Sequence, residues 1–219
     1  MGIIGVVSAL TVPSLMQNWQ KDAYTTQLHK VYTELSQAAI KAANDNNAIS
    51  LDETDYACTN EHGAEEFFRK YFKVVKSCGT DLTPCFASSY KNIDGTDFEL
   101  GTPEYVATIA SGASISVLYN DLGYEESGCG LGDLGPAKWH GYMHLQVDTN
   151  GAQGPNRVGR DLFYMELYSD GKVADSYTDD ELWRAKYCTE EDEDGYSLGF
   201  GYGGGCLSRI IKDGWRMTY

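Results

Sequence analysis

The stretch Gly2–Asn47, GIIGVVSALTVPSLMQNWQKDAYTTQLHKVYTELSQAAIKAANDNN, carries two helical patterns in succession. Its first fifteen residues, Gly2–Met16, contain no charged side chain. As a helix they span about 22 Å at ~1.5 Å per residue. That is shorter than the ~30 Å hydrocarbon core of a bilayer, which takes about 20 residues to cross. After Gln17 the pattern becomes one-sided. Tyr24, Leu28, Val31, Leu35, Ala38 and Ala42 recur at alternating steps of four and three, with Tyr32 and Ala39 widening the stripe. Lys21, Asp22, Gln27, Lys30, Glu34, Gln37 and Lys41 fall mainly on the opposite side. This is one apolar face of a long amphipathic helix, and Asn44-Asp45-Asn46-Asn47 ends it. A helix that is apolar all round and then one-sided must live in two solvents. Its first part needs lipid or partner helices, and its second part needs a globular body.

The rest of the chain predicts that body. Gly63–Lys76 reads as a short second helix stopped by Cys78-Gly79, with Phe67, Tyr71 and Val74 or Val75 on one side. Strand-like runs follow at Thr96–Leu100, Tyr105–Ile109, Ala113–Tyr119, Tyr142–Val147 and Leu162–Tyr168. Asp170-Gly171 forms a hairpin turn into Lys172–Ala174, and Arg209–Lys212 reads as a last strand. Glu190–Asp194 reads as a solvated acidic loop tip. Helix first and strands later, joined mostly by short turns, predicts an α+β fold. In it a long N-terminal helix packs on an antiparallel β-sheet.

The chain has 219 residues, with 17 basic against 32 acidic side chains and a net charge of −15. Such a surface repels phosphate backbones and disfavours nucleic acid as a partner. Six scattered cysteines without a C-x-x-C pair argue for disulfides in an oxidising compartment. Cys78 and Cys85 flank a short loop containing Gly79 and Pro84. Cys188 and Cys206 bracket an acidic, glycine-rich stretch with little apolar pattern, which closure would stabilise by about 3 kcal/mol. Cys58 and Cys129 then pair by elimination. This is one of the fifteen connectivities that six cysteines allow.

Catalytic signatures are missing from the sequence. Gly130–Gly135 fits G-x-G-x-x-G but lies between Ser127-Gly128-Cys129 and Pro136, without the strand and helix a dinucleotide needs. His140 and His144 stand four apart, but the run from Gly141 reads as a strand and there is no H-E-x-x-H. No P-loop and no G-x-S-x-G occurs, and nothing sets Asp179-Asp180 as a catalytic pair. An enzyme is therefore not expected.

The segment GIIGVVSALTVPSL resembles the later part of the N-terminal signature of type IV pilins and type II secretion pseudopilins. The runs VDTNGAQGPNRVGRDLF (Val147–Phe163) and CLSRIIKDGWRMTY (Cys206–Tyr219) look like those of prepilin-type proteins. Gly5 and Pro13 match the helix-weakening positions of that family, Pro13 by removing a backbone donor. With Leu10 they are the expected assembly positions. The basic leader, cleavage site and early glutamate of the signature are expected upstream of Met1.

The resemblance implies residues 1–17 as a filament-core or membrane helix segment and residues 18–219 as a globular pilin-like domain. It implies a structural filament subunit whose partners are other pilin subunits, the inner membrane before assembly, and the assembly machinery. Its location would be the inner membrane and then a cell-surface or periplasm-spanning filament. The competing expectation is a membrane-anchored, secreted carbohydrate- or peptide-binding protein, with Tyr119, Tyr124, Trp139, Tyr142 and Trp183 as a ligand platform.

One loop invites a metal. In Asp148–Asp161, DTNGAQGPNRVGRD, Asp148 and Asn150 have the spacing with which calcium loops begin, and Gly151 permits a sharp turn. Asn156 and Asp161 add oxygens, and related pseudopilins order a loop with calcium. Ala152 occupies a ligand position of an EF-hand, and no bidentate glutamate closes the loop. Two carboxylates imply weak affinity, near ~1 mM. The same residues also make a metal-free turn, with Asp148 and Asn150 bonding their own backbone.

Overall fold

The computed structural model describes residues 3–56, 62–118, 141–175, 188 and 205–219, with residues 3–15 described by backbone alone. Helix α1, Ile3–Asp45, is 43 residues long and runs unbroken through Pro13. The stripe behaves as its spacing requires. Leu28, Val31, Leu35, Ala38, Ala39 and Ala42 are all buried, while Tyr24 and Tyr32 pack at its edges. Each fully buried leucine contributes about 1.5–3 kcal/mol over its exposed state. The helix ends where the asparagines predict: Asn46 Nδ2 donates to the Ala42 carbonyl at 2.8 Å, and Asn47 turns left-handed with φ 51°.

Opposite this stripe lies a six-stranded sheet, wholly antiparallel, in the order β1-β4-β5-β6-β7-β8. Its strands are β1 Val74–Gly79, β4 Pro103–Ile109, β5 Ser114–Leu118, β6 Gly141–Asp148, β7 Leu162–Tyr168 and β8 Val173–Ala174. Strands β2 (Tyr90–Lys91) and β3 (Asp97–Phe98) form a small separate pair. One face of the large sheet presents Tyr105, Ala107, Ile109, Ile115, Val117, Met143, Leu145, Val147, Phe163, Met165, Leu167 and Val173 to the cluster that contains the α1 stripe. Asp170-Gly171 makes the expected hairpin: Gly171 has φ 84°, and Tyr168 N–H donates to the Lys172 carbonyl at 2.8 Å. The α+β architecture thus follows the sequence pattern.

Three expectations need correction. Helix α2, Gly63–Tyr71, stops well before Lys76, and Val74-Val75 begin β1. The chain turns extended at Phe72 (φ −119°, ψ 152°), and the β-branched pair then joins the edge of the sheet. Phe67 and Phe68 are the large buried side chains of α2, beside Gly63 and Ala64, whereas Val75 is 59% exposed. The run Arg209–Lys212 is helical, within α3, Cys206–Lys212. There Ile210 faces the core as one side of a helical turn, which a four-residue apolar run cannot distinguish from a strand. Thr96–Leu100 contributes only the two residues of β3. Glu190–Asp194 lies outside the described residues.

Candidate functional site

Two features can carry function, the N-terminal part of α1 and the loop from β6 to β7. Residues 16–20 of α1 are all exposed, with Met16 at 59% and Trp19 at 72%. Burial begins at Thr25 and is complete at Leu28. The helix therefore leaves the body while still carrying large apolar groups. Gly5, Leu10 and Pro13 all lie on its backbone in this outlying part. Among the described residues no helix is long and apolar enough to cross a membrane.

The β6–β7 loop brings together all four residues chosen for calcium. Strand pairing places Asp148 opposite Leu162, so Asp148 and Asp161 meet at the base of the loop. Both carboxylates are fully buried. Asp148 Oδ2 accepts the Tyr90 hydroxyl at 2.6 Å, and Oδ1 accepts Asn150 N–H at 3.1 Å. Asp161 accepts the backbone N–H groups of Asn156 at 2.8 Å and Arg157 at 2.7 Å. Asn150 Nδ2 donates to the Gly154 carbonyl at 3.2 Å. The metal-free turn is therefore realised in Asp148, with its carboxylate folded back on the chain two residues later. The side-chain oxygens of Asn150 and Asn156 are buried without a hydrogen-bond partner among the described residues.

Burial pushes the Asp148 carboxyl up to about 8, opposed by the Tyr90 hydroxyl and reinforced by the negative Asp161. Burial also raises Asp161, against the backbone donors of Arg157 and Asn156. The Tyr90 hydroxyl is raised by its own burial and by the charge of Asp148. Two neighbouring buried acids cannot both ionise cheaply, so they hold either a proton or a cation. The donor set of two carboxylates and two unpartnered amide oxygens fits calcium chemistry in type. Every carboxylate oxygen also has a protein donor, so the loop closes without metal. Among the described residues no group of three or more His, Cys, Asp or Glu side chains gathers as a metal cluster.

Beside this loop, Gly159 touches two remote parts of the chain. It has φ 74°, and a Cβ there would lie 2.7 Å from Cys206 Sγ and 3.4 Å from Tyr219 Cε2. Only glycine fits, for both reasons. The Tyr219 hydroxyl donates to the Gly159 carbonyl at 2.8 Å, and Arg160 Nη1 donates to the Tyr219 carbonyl at 2.7 Å. The Arg160 and Arg209 guanidinium groups stand 5.2 and 5.0 Å from the Tyr219 ring. The bridges Cys78–Cys85 and Cys188–Cys206 are both formed. Cys58 and Cys129 lie outside the described residues, as do Gly130–Gly135, His140 and Asp179-Asp180. The side chains of Tyr119, Tyr124, Trp139, Tyr142 and Trp183 are likewise outside them.

A polar cluster that the sequence reading passed over surrounds His144. Its Nδ1 lies 2.6 Å from the Tyr164 hydroxyl and 3.2 Å from Glu166 Oε1, and Tyr164 donates to Glu166 at 3.0 Å. Glu166 is wholly buried. The register pairing of His144 with Glu166 was available only once the strands were aligned.

No family model, no curated protein and no solved structure matches this chain, so any functional reading rests on its own residues.

Proposed function

We propose that the chain is a structural subunit of a pilus-type or secretion-type filament, assembled through the N-terminal part of α1. The observation that carries this is the abrupt change along one helix. Leu28 and Leu35 are fully buried in the body, while Met16 and Trp19 stand bare three turns earlier on the same rod. An apolar run such as Gly2–Met16 ahead of them is stable only against lipid or other helices. The resemblance of GIIGVVSALTVPSL to prepilin-type N-termini supports the same reading.

Removing Gly2–Met16 is expected to give a monomer without detergent, whereas the intact chain inserts into membrane or oligomerises. Sedimentation of both forms checks this, and a full-length chain that stays monomeric without lipid or detergent defeats the proposal. Electron microscopy of surface filaments with and without the gene tests it in the cell.

Within this reading Asp148–Asp161 is a loop that calcium tightens through Asp148, Asn150, Asn156 and Asp161. With a dissociation constant near ~1 mM, ~10 mM calcium adds about 1.4 kcal/mol. That is a rise of about 3–6 °C in melting temperature for a body of this size. An unchanged melting temperature between calcium and chelator leaves the metal-free turn as the complete description.

A further inference from the structure

The acidic chain carries a compact basic tract. Four of its 17 basic residues, Arg69, Lys70, Lys73 and Lys76, fall within eight positions, and the other 13 stand against 32 acidic residues. All four are exposed, at the junction of α2 with β1. Arg69 is held by Glu65 at 2.7 Å, and Lys70 by the Tyr56 hydroxyl at 2.6 Å. Lys76 reaches only the Pro84 carbonyl, at 3.3 Å. Two adjoining clefts share Phe72 and Lys73. One, about 260 Å³, lies against α1 and includes Lys41 and Tyr71. The other, about 450 Å³, runs along β1 past Arg69, Val75 and Lys76. Lys41 and Lys70 flank the Tyr71 ring at 5.6 and 5.4 Å.

This tract sits on a sheet edge, since β1 ends the strand order. Lysines on an edge and irregular register both discourage strand addition, and β1 shows register shifts at Val74/Lys76 and Ser77/Gly79. The tract therefore suits side-chain docking rather than β-augmentation. Its floor is the half-buried Phe72, with the 59% exposed Val75 beside it, so it offers an apolar foothold next to Lys73 and Lys76, while Glu34 lines the α1-side cleft and Asp45 pairs Lys41 at 2.6 Å.

We propose that the tract Arg69–Lys76 docks the acidic surface of a second copy of this chain. The inference rests on the filament reading. Subunits of net charge −15 repel when packed side by side, and opposite charge presented at the contact offsets that repulsion. A basic tract on one copy meeting an acidic surface on the next is a heterologous contact, the type that propagates into an open filament rather than closing as a dimer.

The test uses the full-length chain in detergent, with self-association measured by sedimentation at 50 and 500 mM sodium chloride. Wild-type association is expected to weaken about tenfold in high salt. The double variant Lys73→Glu/Lys76→Glu is expected to weaken it about tenfold at low salt and to remove most of the salt dependence. Lys212→Glu/Arg216→Glu makes the same change in net charge at exposed sites outside the tract and is expected to lose much less. Melting curves confirm that both variants fold.

If the two double variants behave alike, net charge and not the tract governs assembly, and the proposal falls. It falls too if association is strong but indifferent to salt, an outcome that leaves helix-driven assembly standing. If the tract variant loses binding to a DNA oligonucleotide or heparin while self-association is unchanged, the occupant is an anionic polymer and not a second copy. A chain that stays monomeric in both salts defeats the tract and the filament reading together.

Discussion

The two faces of the large sheet are both largely buried but differ in chemistry, the outer one setting a mostly polar group of side chains beside Val106 and Leu162 of a second, smaller apolar cluster. The face toward α1 is apolar at every position, from Tyr105 and Ile115 through Leu145 and Met165 to Val173. The other carries Thr108, Ser114, Ser116, His144, Gln146, Asp148, Tyr164 and Glu166 on the alternate residues of the same strands. Ser114, Ser116, Gln146, Asp148 and Glu166 are all buried. Strand alternation puts these sets on opposite sides, and a half-exposed sheet would leave the polar set in water. The inner face gains free energy from area removed from water. The outer face must recover the cost of desolvation through specific bonds. It does so unevenly. Ser114 Oγ donates to the Cys85 carbonyl at 2.7 Å, and Gln146 Oε1 accepts Gly101 N–H at 3.0 Å. Ser116 Oγ, Gln146 Nε2 and Glu166 Oε2 have no hydrogen-bond partner among the described residues. The difference teaches that burial alone does not make a core: one face supplies stability, the other supplies direction.

The largest expected break in this contrast is on the inner face. Phe163→Ala removes a fully buried ring and should cost about 3–5 kcal/mol, read from the urea midpoint at constant slope. A loss below ~1 kcal/mol would mean that the α1 side of the sheet is loosely packed.

A smaller effect, with a pH signature, belongs to the outer face. The folded state holds the Asp148 proton up to about pH 8, whereas the unfolded chain releases it near the ordinary carboxylate value of ~4. The folded state therefore binds more protons between these limits. The contribution of Asp148 is fully present below ~4 and is lost as pH rises through about 8. Asp148→Asn should flatten that decline, leaving the variant about 3–4 kcal/mol better off relative to wild type at pH 8 than at pH 5. Parallel stability–pH curves would show that the carboxylate is ionised and compensated in the folded protein.

The smallest effect sharpens the contrast by its sign. Ser116→Ala deletes a buried hydroxyl without a partner, so it should be neutral or stabilising by up to ~1 kcal/mol, although it too removes a buried atom. A loss above ~1 kcal/mol in chemical denaturation would show that this hydroxyl is engaged.

Much of this fold was legible because one period dominated each segment. The α1 stripe, β5 and β7 repeat their apolar residues without interruption. Legibility failed where two periods coexist. In FFRKYFKVVK the helical spacing of Phe67, Tyr71 and Val74 or Val75 overlaps the extended Val74-Val75, and the sheet edge decided the outcome. The C-terminal Ile210-Ile211 pair was too short to carry a period. At the loop, the local bond of Asp148 to Asn150 N–H follows from spacing, but its partner Tyr90 lies 58 residues away and no local pattern points to it. The burial of His144, Gln146 and Asp148 was not legible, because alternation reports which residues share a side and not whether that side is covered.

Gly159 gives the β6–β7 loop a long reach. It stands against the Cys188–Cys206 bridge on one side and Tyr219 on the other, with no room for even a methyl group. A displacement of the loop is therefore felt at the bridge, and loss of the bridge is felt in the loop. Equilibria joined in this way obey reciprocity: if closing the bridge tightens the loop on a ligand by some factor, the ligand favours the closed bridge by the same factor. Were the loop to take a ligand, its occupancy and the redox poise of the compartment would be linked variables.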